Sequence, residues 1–268
     1  MTINNLSVCQ KRHIARKRFG QHFLHDFFVI NNIISAINPQ INHAIVEIGP
    51  GLGSMTEKII KYVNKMTVIE IDRDLCNRLI HNPCLSSKLR IIQKDVMKVC
   101  FSTLASEEKK SLRIFGNLPY NISTTLIFYL FNYIHIVQDM HFMLQKEVVK
   151  RLLAHPNSKS YGRLSIMAQY HAHIIQLIEV SPHSFYPKPK VDSALIRLTP
   201  HTKPPFHVHN VEKLAILTKA AFNKRRKTLR NSLNEFFNSR ELIHLGIDPT
   251  IRAENVSIKD FCILANAL

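Results

Sequence analysis

Acidic residues are scarce in this chain: 19 Asp and Glu stand against 36 Lys and Arg among 268 residues, for a formal charge of +17. Such an excess goes well beyond what solubility needs and points to a polyanionic partner. The first acid is Asp26, and before it come Lys11, Arg12, Arg16, Lys17 and Arg18. Residues 1–18 therefore read as a flexible basic tail. A mitochondrial transit segment shares this composition, but with the overall charge an arm that touches nucleic acid is the favoured reading. Nothing at the N-terminus has the character of a hydrophobic signal segment.

Long apolar runs are also missing. The longest, around Leu126 to Val137, is too short and too interrupted to cross a bilayer, so no membrane partner is expected. The cysteines number five, an odd count with no C-x-x-C pair, which implies reduced thiols and a cytoplasmic location. There are 15 histidines but no H-E-x-x-H and no Cys/His cluster at ligand spacing, so no metal is expected. His171-x-His173 and His207-x-His209 read as strand-edge or surface residues. Internal repeats and low-complexity stretches are absent.

What is present is a globular composition, 46% hydrophobic, long enough for one large domain and a small appendage. The pattern predicts a helix from Asp26 to Ile37, ended by Asn38-Pro39. Strands and helices then alternate: strand Ala44 to Ile48, helix Ser54 to Val63, strand Met66 to Ile71, helix Arg73 to Ile80, strand Leu89 to Gln93. A polar segment of weak helical character follows. Strand Leu112 to Phe115, helix Ser123 to Ile134 with Ser123 as its cap, and strand Val137 to Leu144 continue the series. This alternation means an α/β protein with a mostly parallel sheet covered on both faces. Helices Lys146 to Leu153 and Arg163 to Tyr170 come next. Strands His173 to Val180 and Val191 to Leu198 suggest an antiparallel addition at the sheet edge. A proline-rich linker, Thr199 to Phe206, leads to helical patterns only, the last from Ser257 to Ala267 with Asp260 completing a capping-box-like start. The expected division is a 19–200 α/β domain and a small all-helical domain at 207–268.

Between the first strand and its helix lies Glu47-Ile48-Gly49-Pro50-Gly51-Leu52-Gly53. Glycines there let the backbone turn sharply and lie against a ligand. Glu70 ends the second strand about twenty residues on, where a carboxylate can accept both hydroxyls of a ribose. Asp95 follows the third strand, where a carboxylate can accept a proton from an adenine amino group. A glycine loop alone often marks only a tight turn. A dinucleotide loop has G-x-G-x-x-G with a pyrophosphate on a helix N-terminus; here the last of those glycines is replaced by Ser54. Glu47, unhelpful near a pyrophosphate, suits a ligand with a positive sulfonium and amine. S-adenosylmethionine fits this loop better than NAD.

Asn117-Leu118-Pro119-Tyr120 stands at the carboxyl end of a strand, where open α/β sheets bind ligands. An Asn oxygen and a proline-stiffened carbonyl can both accept protons from one amino group, and the ring can stack on a planar base. Those are the needs of a site that methylates the exocyclic amine of a nucleobase.

With these segments in this order, the chain resembles the ribosomal RNA adenine dimethyltransferases, and the likeness runs through most of its length. It is carried by Lys17-Arg18-Phe19-Gly20-Gln21-His22-Phe23-Leu24, by Val46 to Gly53, by Gly116 to Ser123, by Phe185-Tyr186-Pro187-Lys188-Pro189-Lys190-Val191-Asp192-Ser193 and by Ala221 to Leu233. The resemblance implies a Rossmann-like fold and S-adenosylmethionine as methyl donor. It implies dimethylation of N6 on two adjacent adenosines in the 3′-terminal hairpin of small-subunit ribosomal RNA, by a monomer acting on a pre-30S-type subunit. His22 and Leu24 would close over the cofactor, Gly49 would line its methionine part, Glu70 its ribose and Asp95 its adenine, with Gly51 also among the cofactor-binding residues. Asn117 would face cofactor and substrate, the Leu118 carbonyl would share the amino protons, Pro119 would fix the loop and Tyr120 would stack on the base. Phe185 is a candidate second wall, with core packing as the equal alternative. The family often has Asn where this chain has His22.

Phosphate contacts are expected from Arg16, Lys17 and Arg18 and from a cluster within Lys219 to Arg230: Lys224, Arg225, Arg226, Lys227 and Arg230, taken to lie on a helix. The rivals are a related enzyme acting on large-subunit RNA, a DNA adenine methyltransferase, and a non-catalytic assembly or transcription factor that keeps the fold.

Overall fold

The computed structural model describes residues 14–224 and 226–268. Nine strands, β1 Phe23–Leu24, β2 Ala44–Ile48, β3 Met66–Glu70, β4 Leu89–Gln93, β5 Leu112–Asn117, β6 Val137–Gln145, β7 Ala172–Val180, β8 Phe185–Tyr186 and β9 Ser193–Pro200, appear among these residues. Seven form one sheet in the order β4-β3-β2-β5-β6-β9-β7, and β1 pairs with β8 in a separate ribbon. β4, β3, β2, β5 and β6 run parallel, whereas β9 is antiparallel to β6, as the late strand pair suggested.

Chain order reverses at β2. The chain moves from β2 through β3 to β4 on one side, then returns to lay β5 and β6 on the other. The carboxyl ends of β2 and β5 thus diverge around a crevice, the place where such sheets bind ligands. The register sets Val46 opposite Ile114 and Glu47 opposite Phe115, so the glycine loop and Asn117 leave the sheet side by side.

Helix α1, Phe27–Ile37, is capped by Asp26, whose carboxylate accepts from the Phe28 and Val29 amides at 3.0 and 3.2 Å. Its buried Ile30, Ile33, Ile34 and Ile37 follow the i, i+3, i+4, i+7 spacing of a single face. They join Ile45, Val68, Phe115 and Met143 in the core. The chain leaves α1 through Asn38 in the left-handed region, φ 48°. Helix α2 is only Thr56–Ile59, shorter than its apolar spacing predicts. Beyond it the Lys61 and Tyr62 amides bond three residues back, to Lys58 and Ile59, so the segment tightens into turns. Helix α3, Arg73–Ile80, matches the sequence pattern. The polar stretch after β4 holds a regular helix, α4 Phe101–Glu108, which buries Phe101, Leu104 and Ala105.

Helix α5, Ser123–Phe131, is not capped by Ser123. The cap position is Ile122, and the buried Ser123 hydroxyl donates instead to the Tyr120 carbonyl at 3.1 Å. That bond ties the Asn117–Tyr120 loop to the first helical turn. Across the sheet the Arg113 guanidinium meets the Asp139 carboxylate at 2.7 Å and donates to the Ile37 and Asn38 carbonyls at 2.7 and 3.1 Å. This buried pair holds the C-terminal end of α1, whose carbonyls lack helical partners.

Among the described residues two compact units emerge, one up to residue 146 and again over 175–199, the other over 147–174 and from 200 on. The second therefore takes in Glu147–Ile174, which the sequence pattern had assigned to the larger domain. Its helices are α6 Lys146–Leu152, all but its first residue, α7 Arg163–His171, α8 Val211–Asn223, α9 Leu229–Ser232, α10 Ser239–His244 and α11 Ile258–Ala267. The early segment belongs there because Tyr161 packs on Phe222 and donates to the Val256 carbonyl, while the Asn157 amide donates to the Glu254 carbonyl. At the start of α11 the Ser257 oxygen accepts from the Asp260 amide, and the Asp260 carboxylate accepts from the Ser257 hydroxyl rather than from a backbone N–H.

Candidate active site

The crevice at the chain reversal is a cavity of about 350 Å³, within the range of small-molecule sites. Its wall comes from the loops after β2, β3, β4 and β5 and from residues 18–24. His22, Leu24, Gly49, Gly51, Glu70, Asp95 and Asn117 all reach it, as do Leu118, Pro119, Tyr120 and Arg18.

The glycine loop owes its shape to residue type. Gly49, Gly51 and Gly53 have φ of 68°, 58° and 87°, in the left-handed region where side chains are strained. A Cβ on Gly51 would stand 3.1 Å from the Phe23 ring, whereas one on Gly49 would meet nothing nearer than 4.0 Å. Gly49 thus leaves an open cradle on the cavity wall.

Glu70 is anchored by its own backbone surroundings. One oxygen accepts from the Ile71 and Asp72 amides, both at 2.9 Å, and the other from the Gly51 amide at 3.2 Å. Burial raises its pKa in spite of those three donors, and the nearby Asp72 adds to the rise. The Asp95 carboxylate accepts from the Met97 amide at 3.0 Å. Two carboxylates at neighbouring strand ends, an open glycine cradle and a largely apolar floor suit an adenosine with a cationic tail, so the residues present fit S-adenosylmethionine.

Glu47 stands elsewhere than the sequence suggested. It is fully buried and does not reach the cavity; one oxygen accepts from the Thr56 hydroxyl at 2.6 Å and the other has no partner among the described residues. In β2, alternate side chains leave opposite faces of the sheet, which turns Glu47 away from the loop that follows it. Burial pushes its pKa from 4.5 up to about 8. The folded state then holds a proton that the unfolded chain releases above the ordinary carboxyl range. Stability from this group is full below about pH 4.5 and is lost as pH rises towards 8. Glu47→Gln is expected to flatten the fall in melting temperature across that window, while the raised Glu70 leaves some slope behind.

The Asn117–Tyr120 loop is held from three sides. The Asn117 amide nitrogen donates to the His22 carbonyl at 2.7 Å, so the side-chain oxygen is the end left to accept. The Leu118 amide donates to the Met143 carbonyl at 3.2 Å. The Tyr120 hydroxyl bonds to the buried Ser193 hydroxyl at 2.7 Å, and the His22 ring stacks on Tyr120 with centroids 5.6 Å apart. His22 Nδ1 donates in turn to the Pro187 carbonyl at 2.6 Å. Sequence reasoning missed the Ser193 contact, although Ser193 closes one of the segments that carry the family resemblance.

Phe185 is corrected. It is 3% exposed, belongs to the core cluster with Leu24 and is absent from the cavity wall. Strand alternation in β8 turns Phe185 inward and leaves Tyr186, 69% exposed, on the other face.

Arg16 is also not where a phosphate-binding arm needs it. Its guanidinium bonds to Asp72 at 2.8 Å and to Asp74 at 2.5 Å, clasping residues 16–21 to the end of β3. Lys17 and Arg18 are exposed, with Arg18 over the Phe19 ring. In the second unit α8 ends at Asn223, so the basic cluster is not one helix. Lys219 lies on α8, Lys224, Arg226 and Lys227 lie in the turn beyond it, and Arg230 lies on α9, all exposed. Arg225, like residues 1–13 of the expected tail, lies outside the described residues. No group of three or more potential metal ligands occurs among the described residues.

A family model described as ribosomal RNA adenine dimethylase matches residues 12–268. A protein named ribosomal RNA small subunit methyltransferase A from Yersinia pestis (strain Pestoides F) is 58% identical over 256 residues, covering 96% of this chain and 94% of its own. The same name and identity recur in Yersinia pseudotuberculosis serotype O:1b. Among solved structures, a dimethyladenosine transferase from Plasmodium falciparum aligns with TM-score 0.76 and 25% identity, covering 91% of this chain and 96% of its own. A 23S rRNA methyltransferase, ErmE, shares the fold at TM-score 0.68 and 20% identity over 92% of this chain and 99% of its own.

Proposed function

The chain belongs to the ribosomal RNA adenine dimethylase family, and from that premise we propose that it dimethylates N6 of two adjacent adenosines in the 3′-terminal hairpin of small-subunit ribosomal RNA. S-adenosylmethionine bound in the cavity supplies an electrophilic methyl group on a sulfonium. The observation that carries the reading is the orientation of Asn117, whose nitrogen is committed to the His22 carbonyl.

An adenine amine is a poor nucleophile because its lone pair is delocalised into the ring. The Asn117 oxygen and the Leu118 carbonyl accept hydrogen bonds from its N–H groups, orient N6 and stabilise positive charge as it develops. No strong base is needed, and the proton leaves after transfer. Tyr120 stacks on the base with the ring face that His22 does not cover. Glu70 accepts the ribose hydroxyls and Asp95 the cofactor's adenine amine. The target base leaves its stack to reach this depth.

The small-subunit assignment, rather than large-subunit RNA, follows the relatives' name and the match along nearly the whole chain. The protein acts as a monomer in the cytoplasm on a pre-30S-type particle. Lys17, Arg18, Lys224, Arg226, Lys227 and Arg230 supply phosphate contacts. The larger unit carries the chemistry and the helical unit selects the RNA.

The test offers undermethylated small subunits and labelled S-adenosylmethionine to the protein. Label is expected in the small-subunit RNA. Cofactor binding without any label in RNA would point instead to an assembly factor that retains the fold.

A further inference from the structure

A target adenosine that enters the cavity leaves its neighbours in the RNA outside it. Strand β1 lines that cavity, and β8 pairs with β1. Directly opposed residues of an antiparallel pair share a face. Leu24 opposes Phe185, and both lie in the core cluster. Phe23 opposes Tyr186 on the other face. Phe23 lines the cavity and packs against the Gly51 loop, and Tyr186 beside it is 69% exposed. The next residue, Pro187, is bonded through its carbonyl to His22, whose ring stacks on Tyr120. The backbone that carries the exposed Tyr186 ring is therefore anchored to residues that line the site.

Its surroundings are basic. Lys188 and Lys190 are exposed, Lys188 Nζ donates to His183 Nε2 at 2.9 Å, and Asp192 is the one acid from Ser181 to Ser193. A lone exposed aromatic residue is ordinary surface. A ring held beside a nucleobase cavity with two unburied lysines following it has the make-up of a single-strand stacking platform.

We infer that Tyr186 stacks on the nucleotide adjacent to the target adenosine, with Lys188 and Lys190 holding its phosphates. The inference rests on the proposed function, since it takes the cavity to receive an RNA base. It assigns to the unflipped neighbour a ring distinct from Tyr120.

The test measures methylation of undermethylated small subunits by the full chain and its Tyr186→Ala, Tyr186→Phe and Tyr186→Leu variants. Tyr186→Ala is expected to raise KM for the subunit about tenfold, as loss of one base–aromatic stack does, with the kcat at saturating subunit and the cofactor Kd unchanged. Tyr186→Phe should restore the wild-type KM and Tyr186→Leu should not. Lys188→Ala and Lys190→Ala should each lower the slope of affinity against salt by about one. An unchanged KM in Tyr186→Ala, or full rescue by Leu, overturns the platform. Should the wild-type protein transfer no methyl at all, the functional reading fails by itself, and filter binding of the same subunits still decides the platform by whether Tyr186→Ala binds about tenfold more weakly.

Discussion

Asn117→Ala is expected to lower the single-turnover rate of methyl transfer by about 10² to 10³-fold at saturating cofactor and subunit. The reason lies in when its oxygen matters. In the ground state the adenine amine carries little charge, and one hydrogen bond more or less changes binding modestly. As the methyl group arrives, N6 becomes cationic inside a cavity with a largely apolar floor, where a fixed acceptor is worth more than in water. In the proposed mechanism Asn117 is that acceptor, because its nitrogen is spent on the His22 carbonyl. The alanine variant loses that anchor too, so residues 18–24 should loosen and cofactor affinity should fall several-fold, far less than the rate. Asn117→Asp keeps oxygens but cannot donate to the His22 carbonyl, and it should remain well below wild type. A single-turnover rate in Asn117→Ala equal to wild type would remove the residue from the mechanism.

Gly116→Ala is expected to be the most damaging single-methyl change in the protein. A Cβ there would stand 2.3 Å from the Ile48 carbonyl oxygen and 3.2 Å from its carbon, both backbone. Backbone in the middle of a parallel sheet has nowhere to retreat without breaking ladder bonds. Overpacking of this kind costs about 1–3 kcal/mol, and more where the neighbour cannot give. Both strand ends that would be pushed apart lead into the cavity wall. Ile48 precedes the Gly49 cradle, and Gly116 precedes Asn117. Gly116→Ala should therefore lower the melting temperature and weaken cofactor binding together. Gly162→Ala is the control, because its Cβ would meet nothing closer than the Phe222 ring at 3.8 Å. Retention of wild-type melting temperature by Gly116→Ala would show that β2 and β5 can separate.

Much of this was legible in the sequence, for identifiable reasons. β2, α3 and β4 have ends set by short apolar runs between strong turn signals, and they fall where the pattern puts them. The cavity wall was legible because strand ends in a parallel sheet collect at one edge, so Gly49, Glu70, Asp95 and Asn117 had to converge if the alternation was right. Three misreadings share one cause: side-chain direction is decided by tertiary pairing. The sequence leaves Phe185 equally open to a substrate role and to core packing, and only the pairing of β8 with β1 sends it inward and Tyr186 outward. Glu47 sits next to the loop in sequence but on the far face of its strand. Arg16 belongs to a basic run, yet Asp72 and Asp74, more than fifty residues on, claim it. The short α2 and the break after Asn223 were hidden for a different reason. Their residues have acceptable helix propensity, and what ends the helix is competition from turn hydrogen bonds, such as the Lys227 amide to the Lys224 carbonyl.

The most direct measurement is a map of modified bases. Small-subunit and large-subunit RNA from undermethylated ribosomes, treated with the protein and S-adenosylmethionine, would be digested and read by mass spectrometry. The account predicts N6,N6-dimethyladenosine at two adjacent positions in the 3′-terminal hairpin of the small-subunit RNA, and none there with Asn117→Ala. Methyl groups confined to large-subunit RNA, or to any atom other than adenine N6, would contradict it.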